Sequence, residues 1–303
     1  MPASSLRGVI AAAATPVVPD FSPDLGRLAP HLRYLLEHGC DAINLLGTTG
    51  EANSFRLADR LAIMRAVKDA GLPLDRFMVG TGVCSLSETV QLTQAAADLG
   101  YAGALVLPPF FYPGIEPQAL VEYVDALMQR TRLGGLVVYL YHIPQNTGVP
   151  WPVEVVAELA RRHPQSLRGI KDSSGDLAYS RGIVRAVPGF DVFPSSEGVL
   201  ADAVGDGFAG CISASVNLTA AESQRAWTHR GTEEGREAVR RAAAQRGVLA
   251  HRALVSSVKA ALAMRYADAA WGRTCPPLLD LSAAETADLR VRLAAAGLAF
   301  PTA

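Results

Sequence analysis

An α/β fold, a closed (β/α)8 barrel of the TIM-barrel class with a C-terminal helical extension, is what this sequence predicts, on three observations. Short apolar runs ending in Gly, Ser, Thr or Pro begin at residues 8, 42, 76, 103, 135, 167, 191 and 210. Segments of amphipathic helical period lie between them. After about residue 218 the pattern turns to Ala/Arg-rich helix with no further strand. The starts are 34, 34, 27, 32, 32, 24 and 19 residues apart, which suits a strand, a helix and two loops per unit.

The strand runs, in order, are GVIAAAATPVV, AINLLG, RFMVGTG, GALVLPP, GLVVYLYHIP, LRGIKDSS, DVFPSS and GCISAS. Each is apolar nearly throughout, as expected for parallel strands buried on both faces. A doubly wound open sheet has the same local pattern, and the count of eight favours closure. Helices are predicted over 25–38, 57–70, 87–100, 117–130, 152–163 and 177–187, then over 220–230, 233–264 and 283–296. The division implied is a barrel domain over residues 1–218 and a helical domain over 219–303. Residues 9–14 faintly resemble a secretory signal, but Pro16, Pro19 and Asp20 interrupt the run, which reads as the first buried strand.

The chain of 303 residues carries 28 Lys+Arg against 29 Asp+Glu, a net charge of -1 that leaves no basic footprint for nucleic acid. With 50% hydrophobic and 19% charged residues it has the material for a large core and too little charge for a disordered chain. No apolar stretch reaches the ~18 to 20 residues that span a bilayer, so no membrane association is expected. Cys40, Cys84, Cys211 and Cys275 form no C-x-x-C pair and are expected as free thiols in the cytoplasm. The histidines show no ligand spacing, and neither a metal nor a cofactor is expected.

Three motifs tempt and fail. Gly205 to Gly210 spells G-x-G-x-x-G, but it follows a helix and leads into a strand, the reverse of a dinucleotide fingerprint. Ser256-Ser-Val-Lys259 spells S-x-x-K without the partner motifs, in the helical tail. Asn217-Leu-Thr219 is a glycosylation sequon in form only.

Chemistry in such a barrel sits at the C-terminal ends of the strands, and three places there carry suitable residues. Gly47-Thr48-Thr49-Gly50-Glu51 follows the second strand; its glycines allow consecutive backbone N–H groups to face outward beside two hydroxyls, a concavity suited to a carboxylate. The same turn would also serve to cap the next helix. Lys171 closes the sixth strand. A lysine pointing into the barrel there would be desolvated, which favours the neutral amine that attacks a carbonyl; a surface lysine paired with Asp172 is the alternative. In the fifth strand, period-two alternation puts Tyr139 and Tyr141 on one face with Tyr141 ~6 to 7 Å nearer the rim. Its phenol suits proton transfer, or simple packing of the barrel. Cys211 and Ser213 in the last strand read as core.

Gly47-Thr-Thr-Gly-Glu51, Tyr141 with Pro144, Gly169-Ile-Lys171 and Gly210-Cys-Ile-Ser213, in this order and spacing, resemble the dihydrodipicolinate synthase / N-acetylneuraminate lyase family of class I pyruvate-dependent aldolases. The resemblance covers nearly the whole chain. It implies a cofactor-independent lyase, usually a homotetramer (a dimer of dimers). Lys171 takes the place of the Schiff-base lysine, Tyr141 that of the proton-relay tyrosine, Thr48 and Thr49 that of the loop holding the pyruvate carboxylate. Ile212 matches the position whose backbone carbonyl lies beside bound pyruvate.

Departures from the family bear on the second substrate. Asn146 stands where the synthases carry an arginine for the aldehyde's carboxylate, and an amide lacks that charged fork. Phe111, in Pro109-Phe-Phe-Tyr112, stands where a neighbouring subunit's tyrosine completes the relay. Lys171-Asp-Ser-Ser174, rather than Lys-Phe-Thr, separates the chain from the sialic-acid lyases. Together with Ser195, Ser196 and Glu197 it is similar to branches acting on 2-keto-3-deoxy sugar acids, whose polyol tail suits neutral hydroxyl and amide groups better than a second carboxylate would. The expected activity is therefore reversible aldol cleavage of such an acid to pyruvate and an aldehyde. The alternatives are 4-hydroxy-tetrahydrodipicolinate synthesis from pyruvate and aspartate semialdehyde, dehydration of a keto-deoxy acid, or keto-acid binding without turnover.

Overall fold

The computed structural model describes residues 6–112 and 114–300. The elements are β1 (Gly8–Ala12), α1 (Leu25–Glu37), β2 (Ala42–Leu45), α2 (Leu57–Asp69), β3 (Phe77–Gly80), α3 (Leu86–Leu99), β4 (Gly103–Val106) and α4 (Pro117–Arg130). There follow β5 (Val137–His142), α5 (Pro144–Thr147), α6 (Val153–Arg162), β6 (Leu167–Asp172), α7 (Leu177–Ala186), β7 (Asp191–Pro194), α8 (Ala203–Asp206) and β8 (Gly210–Ser213). The chain ends in α9 (Val216–Thr228), α10 (Glu233–Leu249), α11 (Leu254–Tyr266) and α12 (Ala283–Ala295). Local chemistry sets several ends: Asp24 and Ser85 accept from the backbone N–H groups of Arg27 and Glu88, and Gly100 takes the left-handed position after α3.

All eight strands are parallel, in the order β7-β6-β5-β4-β3-β2-β1-β8. The circle closes where Ala209 N, just before β8, donates to Val192 O of β7 at 3.0 Å. Alternate side chains serve two cores. Ile10, Met78, Leu105, Tyr139, Phe193 and Ile212 fill the barrel, whereas Val9, Ile43, Val79, Val192 and Cys211 join the layer beneath the helices. Burial drives the Cys211 thiol well above its ordinary pKa, in keeping with a core role. Gly205 to Gly210 leaves α8 and enters β8, so the chain places no helix N-terminus after that motif.

The tail departs from expectation in two respects. The continuous helix predicted over 233–264 is two helices, α10 and α11, separated by residues 250–253. No Gly or Pro breaks it; the turn is tertiary, because it lets α11 bury every residue from Ser256 to Leu262. α9 begins at Val216, runs through residue 218 and packs against β1, as a barrel's eighth helix does. Among the described residues no helix is long and apolar enough to cross a membrane.

Asn217 ties tail to barrel. It is fully buried, its amide donates to the carbonyls of Ala12 and Ala214, and its Oδ1 accepts from Ala14 N. A folded chain thus cannot present it for glycosylation. The same Oδ1 faces His31 Nε2 at 2.9 Å, and Tyr266 Oη of α11 meets His31 Nδ1 at 2.8 Å. That set suits a neutral ring, Nε2–H donating and Nδ1 accepting. Burial pulls the His31 pKa down to about 4. An unfolded chain takes up this proton near the ordinary value of about 6.5, so the ring's contribution is complete above that pH and is lost as pH falls toward 4. The span amounts to roughly 3 kcal/mol. We expect the denaturation midpoint to fall between pH 6.5 and 4.5 more steeply in the wild type than in His31→Gln; parallel curves would refute the assignment.

Candidate active site

β5 and β6 lie side by side with Tyr141 opposite Lys171 and His142 opposite Asp172. Pleating sends residues at one register level to the same face. Tyr141 and Lys171 therefore enter the barrel mouth, while His142 stacks on Tyr179 of α7 at 4.1 Å and Asp172 accepts from Ser180 Oγ at 2.5 Å. Asp172 also caps Ser174 N, so it is spoken for behind the sheet rather than paired with Lys171.

Lys171 and Tyr141 are only 3% and 4% exposed, and Lys171 Nζ stands 4.3 Å from the centre of the Tyr141 ring. Tyr141 Oη lies 3.1 Å from Thr48 Oγ1 and accepts from Ser173 Oγ at 3.5 Å. Burial pushes the phenol's pKa up; the Lys171 charge, with the Ser173 and Thr48 hydroxyls, outweighs that and leaves it below its ordinary value.

Thr48 and Thr49 stand on the turn after β2. Leu46 and Glu51, which bracket it, both hold φ at 54°, in the left-handed region that non-glycine residues enter at a cost of about 1–3 kcal/mol. Gly80 on β3 leaves room for it, since a Cβ there would lie 2.0 Å from the Leu46 carbonyl oxygen. The turn is pinned from the tail. Lys259 Nζ of α11 donates to Glu51 Oε1, and Cys275 N donates to Glu51 Oε2 at 2.6 Å, with both side chains of the ion pair buried.

These groups open into one cavity of about 330 Å³, lined by Thr48, Thr49, Tyr141, Lys171, Ile212 and Arg246. Ser173, Ser195 and Asn146 add neutral polar groups to its wall. The structure thus brings all five predicted site residues to one place. Ser196 and Glu197 are elsewhere: Ser196 caps Gly198 N, and Glu197 is fully buried, accepting from Ser213 Oγ and Thr219 Oγ1. An acid at the end of β7 is held inward because two neighbouring hydroxyls and Arg246 form a polar nest there.

Residues 5–296 match the Dihydrodipicolinate synthetase family. The chain belongs to that family. It is 33% identical over 293 residues to an uncharacterized DapA-like lyase of Chloroflexus aurantiacus, covering 94% of this chain and 95% of that protein. Dihydrodipicolinate synthase from Agrobacterium tumefaciens superposes with a TM-score of 0.88 at 25% identity, over 95% of this chain and 98% of that one. The E. coli K12 prophage protein YagE, of the dihydrodipicolinic acid synthase family and solved in complex with pyruvate, shares the fold at a TM-score of 0.87 and 24% identity, covering 97% and 100% of the two chains. As a dihydrodipicolinate synthetase family member the chain is a class I aldolase/lyase on a TIM barrel.

Two residues of the site escaped the sequence reading. Arg246 comes from α10 and Lys259 from α11, and both reach the barrel mouth only because the tail folds back over it. Lys259 left one trace: it is the single charged residue in Ser256-Ser-Val-Lys-Ala-Ala-Leu262, and a lone charge in a buried apolar stretch calls for a buried partner.

Proposed function

We propose that the protein is a Schiff-base-forming, pyruvate-dependent aldolase acting on a 2-keto-3-deoxy sugar acid. The observation that carries this reading is the Lys171 amine 4.3 Å from the Tyr141 ring, in a cavity walled by the Thr48–Thr49 turn and Ile212. In this scheme Thr48 and Thr49 hold the 1-carboxylate. Lys171 Nζ attacks C2, and the carbinolamine loses water to give an iminium. The Tyr141 oxygen takes the proton from the C4 hydroxyl as the C3–C4 bond breaks, its electrons flowing into the iminium. The aldehyde departs, the enamine takes a proton at C3, and water returns to release pyruvate and the free amine. Water lost in the first half is consumed in the second.

Neutral Asn146, Ser173 and Ser195 along the wall support a hydroxylated tail, and Asn146 counts against the synthase reaction. Phe111 and Tyr112, 73% and 71% exposed and in edge contact at 5.3 Å, support cover by a second copy, in keeping with a homotetramer in the cytoplasm.

Intact mass after borohydride reduction tests the chemistry. A pyruvate adduct mapping to Lys171 is expected from both pyruvate and 2-keto-3-deoxygluconate. A sugar-acid adduct less one water would indicate dehydration instead, and no adduct would remove the mechanism. Tyr141→Phe is expected to lower kcat by about 10²–10³-fold, as loss of a general acid–base does, while Lys171 still traps pyruvate. Unchanged kcat would take the relay away from Tyr141.

A further inference from the structure

Resting on that reading, we infer that Arg246 recognises a carboxylate at the far end of the substrate, so that the departing aldehyde is an acid-terminated one. Arg246 and Lys171 are the two cations among the described residues lining the cavity, and no Asp or Glu lines it. In the proposed scheme Lys171 is consumed by the ketone and the turn after β2 holds the 1-carboxylate. That leaves Arg246, whose acidic neighbour Glu197 stands 3.6 Å away and outside the cavity lining, as the cation open to a second anion in the pocket.

The guanidinium is held from behind. Arg246 Nη1 donates to Ser213 Oγ and Ser215 Oγ, each at 2.9 Å, and stands 3.6 Å from Glu197 Oε2. Glu197 pairs with it from behind the wall and does not line the cavity, its two oxygens also accepting from Ser213 and Thr219. Nε and Nη2 make no hydrogen bond among the described residues, and the side chain is 23% exposed. One nitrogen of a planar fork is thus held by two serines and Glu197, while Nε and Nη2 keep their donors for a ligand in the cavity that Arg246 lines, and such a pair of donors can receive a carboxylate at two points. On this inference the substrate meets hydroxyl and amide groups along the wall and a charge at its far end.

The matched pair 2-keto-3-deoxygluconate and 2-keto-3-deoxyglucarate differs only at C6, CH2OH against carboxylate. Consumption of each, followed by chromatography, gives kcat/KM whether the bond broken is C–C or C–O. We expect the wild type to favour the diacid by roughly 10- to 100-fold, the worth of a charged two-point contact. In Arg246→Met the ratio should fall to near one, with Arg246→Lys, which keeps the charge and loses the fork, in between. A wild-type ratio at or below one, or no consumption of the diacid, overturns the assignment. So does an Arg246→Met variant that lowers both substrates by the same factor, the mark of a residue that only braces Ser213 and Ser215. Failure of the Schiff-base reading registers separately, as absence of the wild-type pyruvate adduct.

Discussion

Lys171→Ala is expected to abolish borohydride trapping of pyruvate and to lower kcat/KM by at least about 10³-fold, the scale set by removing a covalent nucleophile. The fold should survive. The side chain is buried, yet its close polar neighbour is the Tyr141 ring rather than an acid, so truncation strands no buried countercharge. The variant has a second, activity-free signature. Of the influences on Tyr141, burial raises its pKa and the Lys171 charge is the strongest that lowers it. An ammonium favours the phenolate; without it, burial prevails and the phenol ionises at higher pH. Alkaline titration of tyrosinate absorbance should accordingly show one phenol moving upward relative to wild type. Retained turnover would sink the Schiff base, and an unmoved titration curve would separate the two side chains electrically.

What the sequence revealed follows physical lines. The strands were legible because both faces are buried, so each run is apolar throughout. Six barrel helices begin and end within about two residues of expectation, since residues such as Asp24, Ser85 and Gly100 act on neighbours a few positions away. Tyr141 and Lys171 could be placed because period-two alternation fixes which face a strand residue takes; Ile212 came through the family resemblance. The α10–α11 turn was hidden because Ala, Arg and His carry no local stop signal there, and burial of α11 decides it. Arg246 and Lys259 were hidden for the same reason: their place in the site is a property of how the tail docks.

Lys259 is where that docking touches the chemistry, and Lys259→Met should show it. The pair with Glu51 is fully buried, and breaking such a pair by removing one partner costs about 3–5 kcal/mol because the other charge stays behind. For a chain of 303 residues that corresponds to a Tm lower by roughly 5–8 °C. The Glu51 carboxylate would keep a single donor, Cys275 N. Glu51 also holds a left-handed backbone that the surroundings must enforce, so the turn bearing Thr48 and Thr49 should loosen and pyruvate should bind about tenfold more weakly, a loss of about 1.4 kcal/mol. Adding Glu51→Gln separates the two effects. With both charges gone the stranded-carboxylate penalty disappears and much of the Tm returns, while the turn still lacks its anchor and pyruvate affinity stays low. Affinity recovering together with Tm would mean that the pair only staples the tail; affinity remaining low in a re-stabilised protein would mean that α11 sets the geometry of the carboxylate site from outside the barrel.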